Sequence, residues 1–173
     1  MLFRSLNNAK LAESTIGIHV AGAFGGLVLD SVDIIANTTN VLIDQAVVAE
    51  QNREIFFNPG CLIDSGGTAT VFNGIGVDVQ DTSGYLLFNS PWIASAGTLV
   101  RFGTSYQGTA IFNGGMLFNA LTTYGGSGDA IQVQNQNTRL VLNGVYFNNI
   151  QNICVRGVGV TANWVELNNC TFR

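Results

Sequence analysis

Residues 112–117 read Phe-Asn-Gly-Gly-Met-Leu, and the same phrase returns six more times along the chain. An apolar residue is followed by Asn or Asp, and a second apolar residue comes four positions after the Asn or Asp. These polar positions are Asn7, Asp30, Asn58, Asn89, Asn113, Asn143 and Asn168. They span 161 residues in six steps, a mean spacing of about 27 residues. An internal repeat of this length predicts a solenoid.

Strand periodicity indicates which solenoid. The residues one and three positions before each Asn or Asp are apolar in nearly every copy, as in Leu86/Phe88 and Leu140/Leu142. Alternate residues of a strand face the same way, so this spacing predicts a strand. A second short β-rich segment precedes each phrase, at residues 18–20, 41–43, 77–79, 100–102, 131–133 and 153–155. The sequence therefore predicts an all-β parallel β-helix with three short strands per coil, about 4.8 Å between coils and about six to seven coils.

The recurrent Asn or Asp has a structural explanation. A sharp bend between strands favours residues that tolerate the left-handed backbone region, and Asn, Asp and Gly do so most readily. Stacked Asn side chains can also hydrogen-bond along the solenoid axis. We therefore interpret this column as bend-forming and leave it out of the candidate site.

The repeated strand, Asn bend and strand over residues 6–172 resembles the pectate-lyase-like right-handed parallel β-helix. The resemblance implies a right-handed, single-stranded solenoid. It is specific for fold but not for activity, because that architecture serves lyases, glycosidases, adhesins and the trimeric tailspikes of bacteriophages. The Asn-Thr-Asp, Gly-His-Gly and Arg-Ile-Lys motifs of the polygalacturonases are absent from the chain. No catalytic residue is carried over from the resemblance.

Composition bears on possible partners. Hydrophobic residues make up 47% of the 173 positions, charged residues 10%, and the formal net charge is −4. A negative chain with few basic residues is not expected to bind nucleic acid. No apolar run reaches the roughly 18 residues of a membrane span, so membrane insertion is not expected. Cys61, Cys154 and Cys170 have no metal-ligand spacing, and we expect neither a metal nor a cofactor. The redox state of these cysteines stays open.

The chain ends predict a fragment. Residues 1–5 resemble a non-native or disordered head, and residues 6–173 are expected to form a single β-helix domain cut at both ends. Solenoids normally carry capping elements that protect exposed strand edges, and neither end of the sequence offers one. We therefore expect the natural protein to be longer.

One predicted face is apolar although it should point outward. Before each bend the outward positions are Val28, Phe56, Leu87, Ile111 and Val141, with Glu166 as the exception; after the bend they are Asp33, Cys61, Trp92, Met116, Tyr146 and Thr171. Such a stripe is expected to be covered. By resemblance to tailspikes we expect a homotrimer, with an intrachain cover as the alternative.

The other strand column predicts a polar face. Its outward positions are His19, Leu42, Asp78, Arg101, Gln132 and Cys154, followed by Asp44, Gln80, Gln134 and Arg156. The resemblance places a saccharide groove on this face. Planar polar groups and aromatic rings suit sugar binding, so the candidate ligand-binding residues are Arg101, Gln132, Gln134, Arg156, Tyr106 and Tyr124. Each is also compatible with an ordinary solvated surface residue.

Asp44 and Asp78 form a candidate catalytic pair. They lie on successive coils with a two-residue offset, which places the carboxylates roughly 8 Å apart. That separation lies within the range of inverting glycosidases.

The sequence thus leaves three functions open: a polysaccharide-binding, virion-borne or extracellular protein of tailspike type, a secreted pectate-lyase-like glycoside hydrolase or polysaccharide lyase, and a non-catalytic stalk. The Gly-rich insertion 119–130 is a candidate specificity loop.

Overall fold

The computed structural model describes residues 3–21, 26–44, 54–66, 74–80, 84–159 and 164–173. These residues form short strands joined by bends, together with one 3-10 helix at Thr122–Tyr124. The strands belong to three sheets, and every described pairing between neighbours is parallel.

Each sheet takes every third strand of the chain. Sheet A contains β1 (Phe3–Asn7), β4 (Gly26–Asp30), β7 (Glu54–Phe57), β10 (Tyr85–Asn89), β13 (Thr109–Asn113), β16 (Arg139–Asn143) and β19 (Trp164–Asn168). Sheet B contains β2 (Lys10–Ala12), β5 (Asp33–Ile35), β8 (Leu62–Asp64), β11 (Trp92–Ala96), β14 (Met116–Ala120), β17 (Tyr146–Ile150) and β20 (Thr171–Phe172). Sheet C contains β3 (Ile16–Val20), β6 (Thr39–Ile43), β9 (Ile75–Val79), β12 (Thr98–Phe102), β15 (Asp129–Val133) and β18 (Val155–Gly157).

The chain runs through sheets A, B and C in turn, and we call one such passage a coil. Among the described residues there are six coils with all three strands, followed by β19 and β20 of a seventh. The molecule is a right-handed parallel β-helix, which confirms the predicted fold class and coil number.

The core is built from columns of equivalent residues. The apolar residue before each Asn or Asp faces inward on sheet A, and Phe57, Phe88 and Phe112 stack there with ring centroids 4.4 and 4.2 Å apart. All three rings are fully buried. Each stacked aromatic pair adds about 0.5–1.5 kcal/mol beyond the burial of apolar area. The repeated phrase thus places the residues that hold adjacent coils together.

The Asn column forms the predicted ladder. Asn168 donates to Asn143, Asn143 to Asn113 and Asn113 to Asn89, with N···O distances of 2.9, 3.0 and 3.2 Å. Asn89 continues the ladder to Asn58 at 3.5 Å.

At the bends of the repeated phrase, the Asn or Asp was predicted to adopt the left-handed backbone conformation, but it does not. That conformation falls on residues that follow the Asn or Asp, namely Asn8, Ser31, Gly60, Ser90, Gly114, Gly115, Gly144 and Asn169. The column residue therefore serves as the axial hydrogen-bonding group, while a small or Asn residue after it makes the bend.

Two predicted outward positions are wrong. Cys61 is buried, and Leu62 occupies its expected place beside Trp92, because the bend at Pro59 and Gly60 contains one extra residue. A one-residue slip moves a side chain to the opposite face of a strand.

The second wrong position is Cys154. The last strand of sheet C begins at Val155, so Arg156 pairs with Gln132 and takes the outward place expected for Cys154. Cys154 lies before this strand and is half-buried against the core.

The first described strand includes part of the predicted head. Residues 3–5 lie in β1 and pair in register with β4, and the non-native origin of the head stays a prediction. Residues 1 and 2 of that predicted head lie outside the described residues. In the part of the chain that the structure describes, no helix is long and apolar enough to cross a membrane.

Candidate functional site

The outer column of sheet C is the candidate site. Its members are His19, Leu42, Asp78, Arg101, Gln132 and Arg156, one from each of coils 1 to 6. Neighbours in this column are separated by the interstrand spacing of about 4.8 Å. In β6, β9, β12 and β15 the residues on either side of the column position face inward and are buried in the core, for example Val77 and Val79 around Asp78. The sheet therefore displays a straight row of side chains on a rigid support.

Asp78 and Arg101 form a bidentate pair across coils 3 and 4. The Arg101 Nε donates to Asp78 Oδ1 at 2.9 Å, and Arg101 Nη2 donates to Asp78 Oδ2 at 2.6 Å. Gln80 Nε2 donates to Asp78 Oδ1 at 2.7 Å. Asp78 is 6% exposed, so this carboxylate is largely shielded while its partner arginine reaches the surface. Two-point pairs of this kind are among the strongest hydrogen-bonded contacts in proteins.

Asp129 and Arg156 repeat this arrangement across coils 5 and 6. Arg156 Nε donates to Asp129 Oδ2 at 2.8 Å, and Arg156 Nη2 donates to Asp129 Oδ1 at 3.0 Å. Gln132 Nε2 donates to Asp129 Oδ2 at 3.0 Å, and the Ile153 amide donates to Oδ1 at 3.2 Å. Asp129 is fully buried. We call these two arginine–aspartate pairs the clasps.

The clasp controls the ionisation of Asp129. Burial on its own would raise the pKa of this carboxyl, but hydrogen bonds from Arg156, Gln132 and Ser127 hold the pKa below its ordinary value. The same contact raises the pKa of Arg156. Both groups are therefore charged near neutral pH, and the clasp is an ion pair.

Sequence reasoning did not single out Asp129 because it lies at the first position of β15, outside the outer column. An available signal was the Arg156 side chain, which carries a charge within a strand and needs a partner. The contact joins residues 27 positions apart in sequence.

Insertion 119–130 folds against the edge of sheet C. The amide of Gly74 donates to the carbonyl of Tyr124 at 2.9 Å, and the amide of Gly128 donates to the carbonyl of Gly97 at 2.7 Å. Thr122 donates to Gln151 through its amide at 2.7 Å. The insertion is therefore tied to coils 3, 4 and 6, and it forms a ridge along the corner where sheet B meets sheet C.

The glycines of this ridge are required for close packing. A Cβ atom on Gly97 would overlap the backbone of Gly126, and a Cβ atom on Gly126 would overlap the backbone of Gly97. Gly103 on the face itself differs, because a Cβ atom there would meet only the end of the Gln80 side chain, which can move. The Gly-rich composition thus reflects tight packing.

The predicted ligand-binding residues occupy different places. Arg101, Gln132 and Arg156 share the outer column. Gln134 lies two residues after Gln132, just beyond the end of β15, and is half-buried. Tyr124 is half-buried on the ridge. Tyr106 is fully buried, stacks on Phe102 at 5.3 Å and donates to the Gly84 carbonyl at 3.0 Å. Its ring is part of the core and offers no open face to a sugar, which corrects the expectation for this residue.

The predicted catalytic carboxylates both have basic neighbours. Asp78 is held by Arg101, and Asp44 Oδ2 lies 3.3 Å from His19 Nε2 at the surface. A general acid or base must exchange a proton with substrate, and a carboxylate with both oxygens engaged by a guanidinium is poorly placed to do so. The geometry therefore does not favour the catalytic role of this pair, which stays a prediction.

Neither a metal-binding cluster in the described part of the chain nor a related protein points to a function. Among the described residues, no three or more His, Cys, Asp or Glu side chains come together in a way that could hold a metal ion. No protein family, curated protein or solved structure matches the chain in comparisons with all three. The outer column of sheet C is the feature of the molecule that bears on function.

Proposed function

We propose that the chain is a polysaccharide-binding β-helix of the phage tailspike type, carried on a virion or cell surface, and that sheet C holds the glycan. The observation that carries the proposal is the outer column with its partly exposed guanidinium and amide groups. Such groups recognise sugar hydroxyls by directional hydrogen bonds. The interstrand spacing of about 4.8 Å places these groups at regular intervals along the face.

Binding is favoured over cleavage. Arg101 and Gln80 occupy the oxygens of Asp78, so the carboxylate that would protonate a glycosidic oxygen is already engaged. A glycan-array measurement followed by a reducing-end assay separates the possible functions. Binding without release of reducing ends supports the proposal, whereas release that is lost in Asp78→Asn favours the hydrolase. Absence of binding to any glycan favours a passive stalk.

A matched pair of variants tests the location. Gln134 lies beside the outer column, and Gln136 is exposed in the turn that follows. Loss of one hydrogen bond is worth about 1 kcal/mol, roughly fivefold in affinity. Gln134→Ala should therefore weaken glycan binding about fivefold, while Gln136→Ala should leave it unchanged. Equal affinities for both variants and the unmodified chain would place the glycan elsewhere.

The proposed assembly is a homotrimer packed through sheet A. The outward column Val28, Phe56, Leu87, Ile111 and Val141 is continuous over five coils. Val28, Phe56, Leu87 and Ile111 are half-buried, and Val141 is already buried. A row of partly open aliphatic and aromatic side chains is an uncommon surface for a monomer, and a symmetric oligomer would bury what is left exposed. Sedimentation equilibrium should give three times the chain mass, and Leu87→Glu should lower it while Gln136→Glu does not. A monomeric mass for the unmodified chain would remove the trimer from the proposal.

A further inference from the structure

We infer that the glycan held by sheet C is an uncharged polysaccharide, an inference that rests on the proposed function and narrows its ligand. The ligand class follows from the charge balance of the face. Arg101 and Arg156 are the arginines of the outer column, and the two clasps pair each of them with an aspartate. Neither guanidinium is a surplus positive charge.

Among the described residues of the face, the clasps leave no surplus positive charge to attract an anion. Asp44 adds a further carboxylate beyond the clasps, and His19 lies against it at 3.3 Å. Asp78 balances Arg101 and Asp129 balances Arg156, so the two clasps together carry no net charge. The whole chain is negative, with a formal charge of −4.

An acidic sugar would therefore meet an unfavourable surface. Its carboxylate or sulfate would either compete with Asp78 or Asp129 for a guanidinium or lie beside those carboxylates. Displacing Asp129 from Arg156 is costly, because Asp129 is fully buried and would lose its counter-ion. Like charges within a few ångströms of each other repel, even near the surface.

Sugar hydroxyl groups, in contrast, can accept hydrogen bonds from the arginine N–H groups that the clasps do not use. Each clasp occupies two of the five N–H groups of its arginine, so three N–H groups per guanidinium stay outside the pair. The arginines lie two coils apart, about 10 Å. Neutral sugars can accept these hydrogen bonds without any change in the charge balance.

The experiment compares matched glycans on the intact chain. Each backbone is offered in a neutral and an acidic form, such as dextran with dextran sulfate and methyl-esterified with free polygalacturonan, at 20 and 300 mM NaCl. The inference predicts that a neutral form binds, that its affinity changes less than twofold with salt, and that its acidic partner binds at least tenfold more weakly. Tighter binding of an acidic form with loss at high salt would overturn the inference while preserving the proposed function. No binding of any polysaccharide would overturn the proposed function itself.

A gain-of-function variant provides a second, independent test. Asp78→Asn removes one clasp carboxylate and leaves Arg101 with a surplus charge, so binding of the acidic glycan should rise at least fivefold at 20 mM NaCl. Asp33→Asn makes the same change in net charge on sheet B, outside the face, and should have no such effect. An equal rise in both variants would show that overall charge, not the clasp, sets the preference.

Discussion

Replacing Arg156 by Met should destabilise the solenoid far more than an equivalent change at the surface. Asp129 is fully buried and receives two hydrogen bonds from Arg156, so Arg156→Met leaves a buried carboxylate without its cation. Breaking a fully buried ion pair costs about 3–5 kcal/mol, but water reaches this pair because the Arg156 side chain is 37% exposed. Gln132 and the Ile153 amide still donate to Asp129, so we expect a loss near the lower end, about 3 kcal/mol.

The control is the exposed pair of Arg139 and Glu166. These side chains are 50% and 38% exposed and lie 3.2 Å apart, and Arg139 also lies 5.5 Å from the ring centroid of Trp164. An exposed pair contributes at most about 1 kcal/mol, and an exposed cation–π contact adds about 0.5–1 kcal/mol. Arg139→Met should therefore cost less than about 2 kcal/mol.

Urea unfolding followed by circular dichroism gives both free-energy changes. The double variant Asp129→Asn/Arg156→Met should recover at least about 2 kcal/mol of the loss, because the buried group no longer carries a charge. A cost for Arg156→Met of about 1 kcal/mol or less, no larger than that of Arg139→Met, would refute the description of the clasp as an ion pair that joins coils 5 and 6.

Three further predictions concern pH, the ladder and the ridge. The pKa of Asp129 is lower in the folded chain than its ordinary value of 3.8, so its contribution is complete above that value and is lost as pH falls through the lowered folded pKa. Acid unfolding of Asp129→Asn should accordingly be less steep below pH 4. Asn143→Asp replaces an amide donor with a carboxylate facing a carbonyl oxygen, which should cost about 1–3 kcal/mol in urea unfolding; no loss would exclude a stabilising ladder. Gly97→Ala should lower the thermal midpoint more than Gly144→Ala. A Cβ atom at position 97 would overlap the backbone of Gly126. A Cβ atom at position 144 would have open space around it, and Gly144→Ala would carry about 1–2 kcal/mol of left-handed strain.

The sheets and their faces could be predicted from sequence because each depends on a periodic pattern. Leu86, Phe88 and Asn89 show the pattern of inward, inward and ladder positions that the copies from Asn58 to Asn168 share, and a column needs only that alternation. Errors arose where a coil departed from the pattern. The extra residue in the bend at Pro59 and Gly60 turned Cys61 inward.

The site was only partly predictable for a different reason. Sequence placed Arg101, Gln132 and Arg156 near one another, yet it could not show that Asp78 and Asp129 engage the two guanidiniums. Those contacts depend on side-chain rotamers and on a strand start, which carry no periodic signal. Tyr106 was misjudged similarly, because a loop position in the sequence turned out to be a core position in the fold.

The most direct test of the stacked coil is a pair of distances between spin labels along sheet B. Lys10, Trp92 and Tyr146 lie in one outer column, with Trp92 three coils and Tyr146 five coils from Lys10. One variant carries a ketone-bearing amino acid, to which the spin label is attached, at positions 10 and 92, and a second variant carries it at positions 10 and 146. The expected backbone separations are about 14 Å in the first variant and about 24 Å in the second. Distances that increase by about 4.8 Å per coil are the predicted result. Equal distances for the two pairs, or a larger distance for the pair at 10 and 92, would contradict the stacking of coils on which the clasps and the glycan-binding face depend.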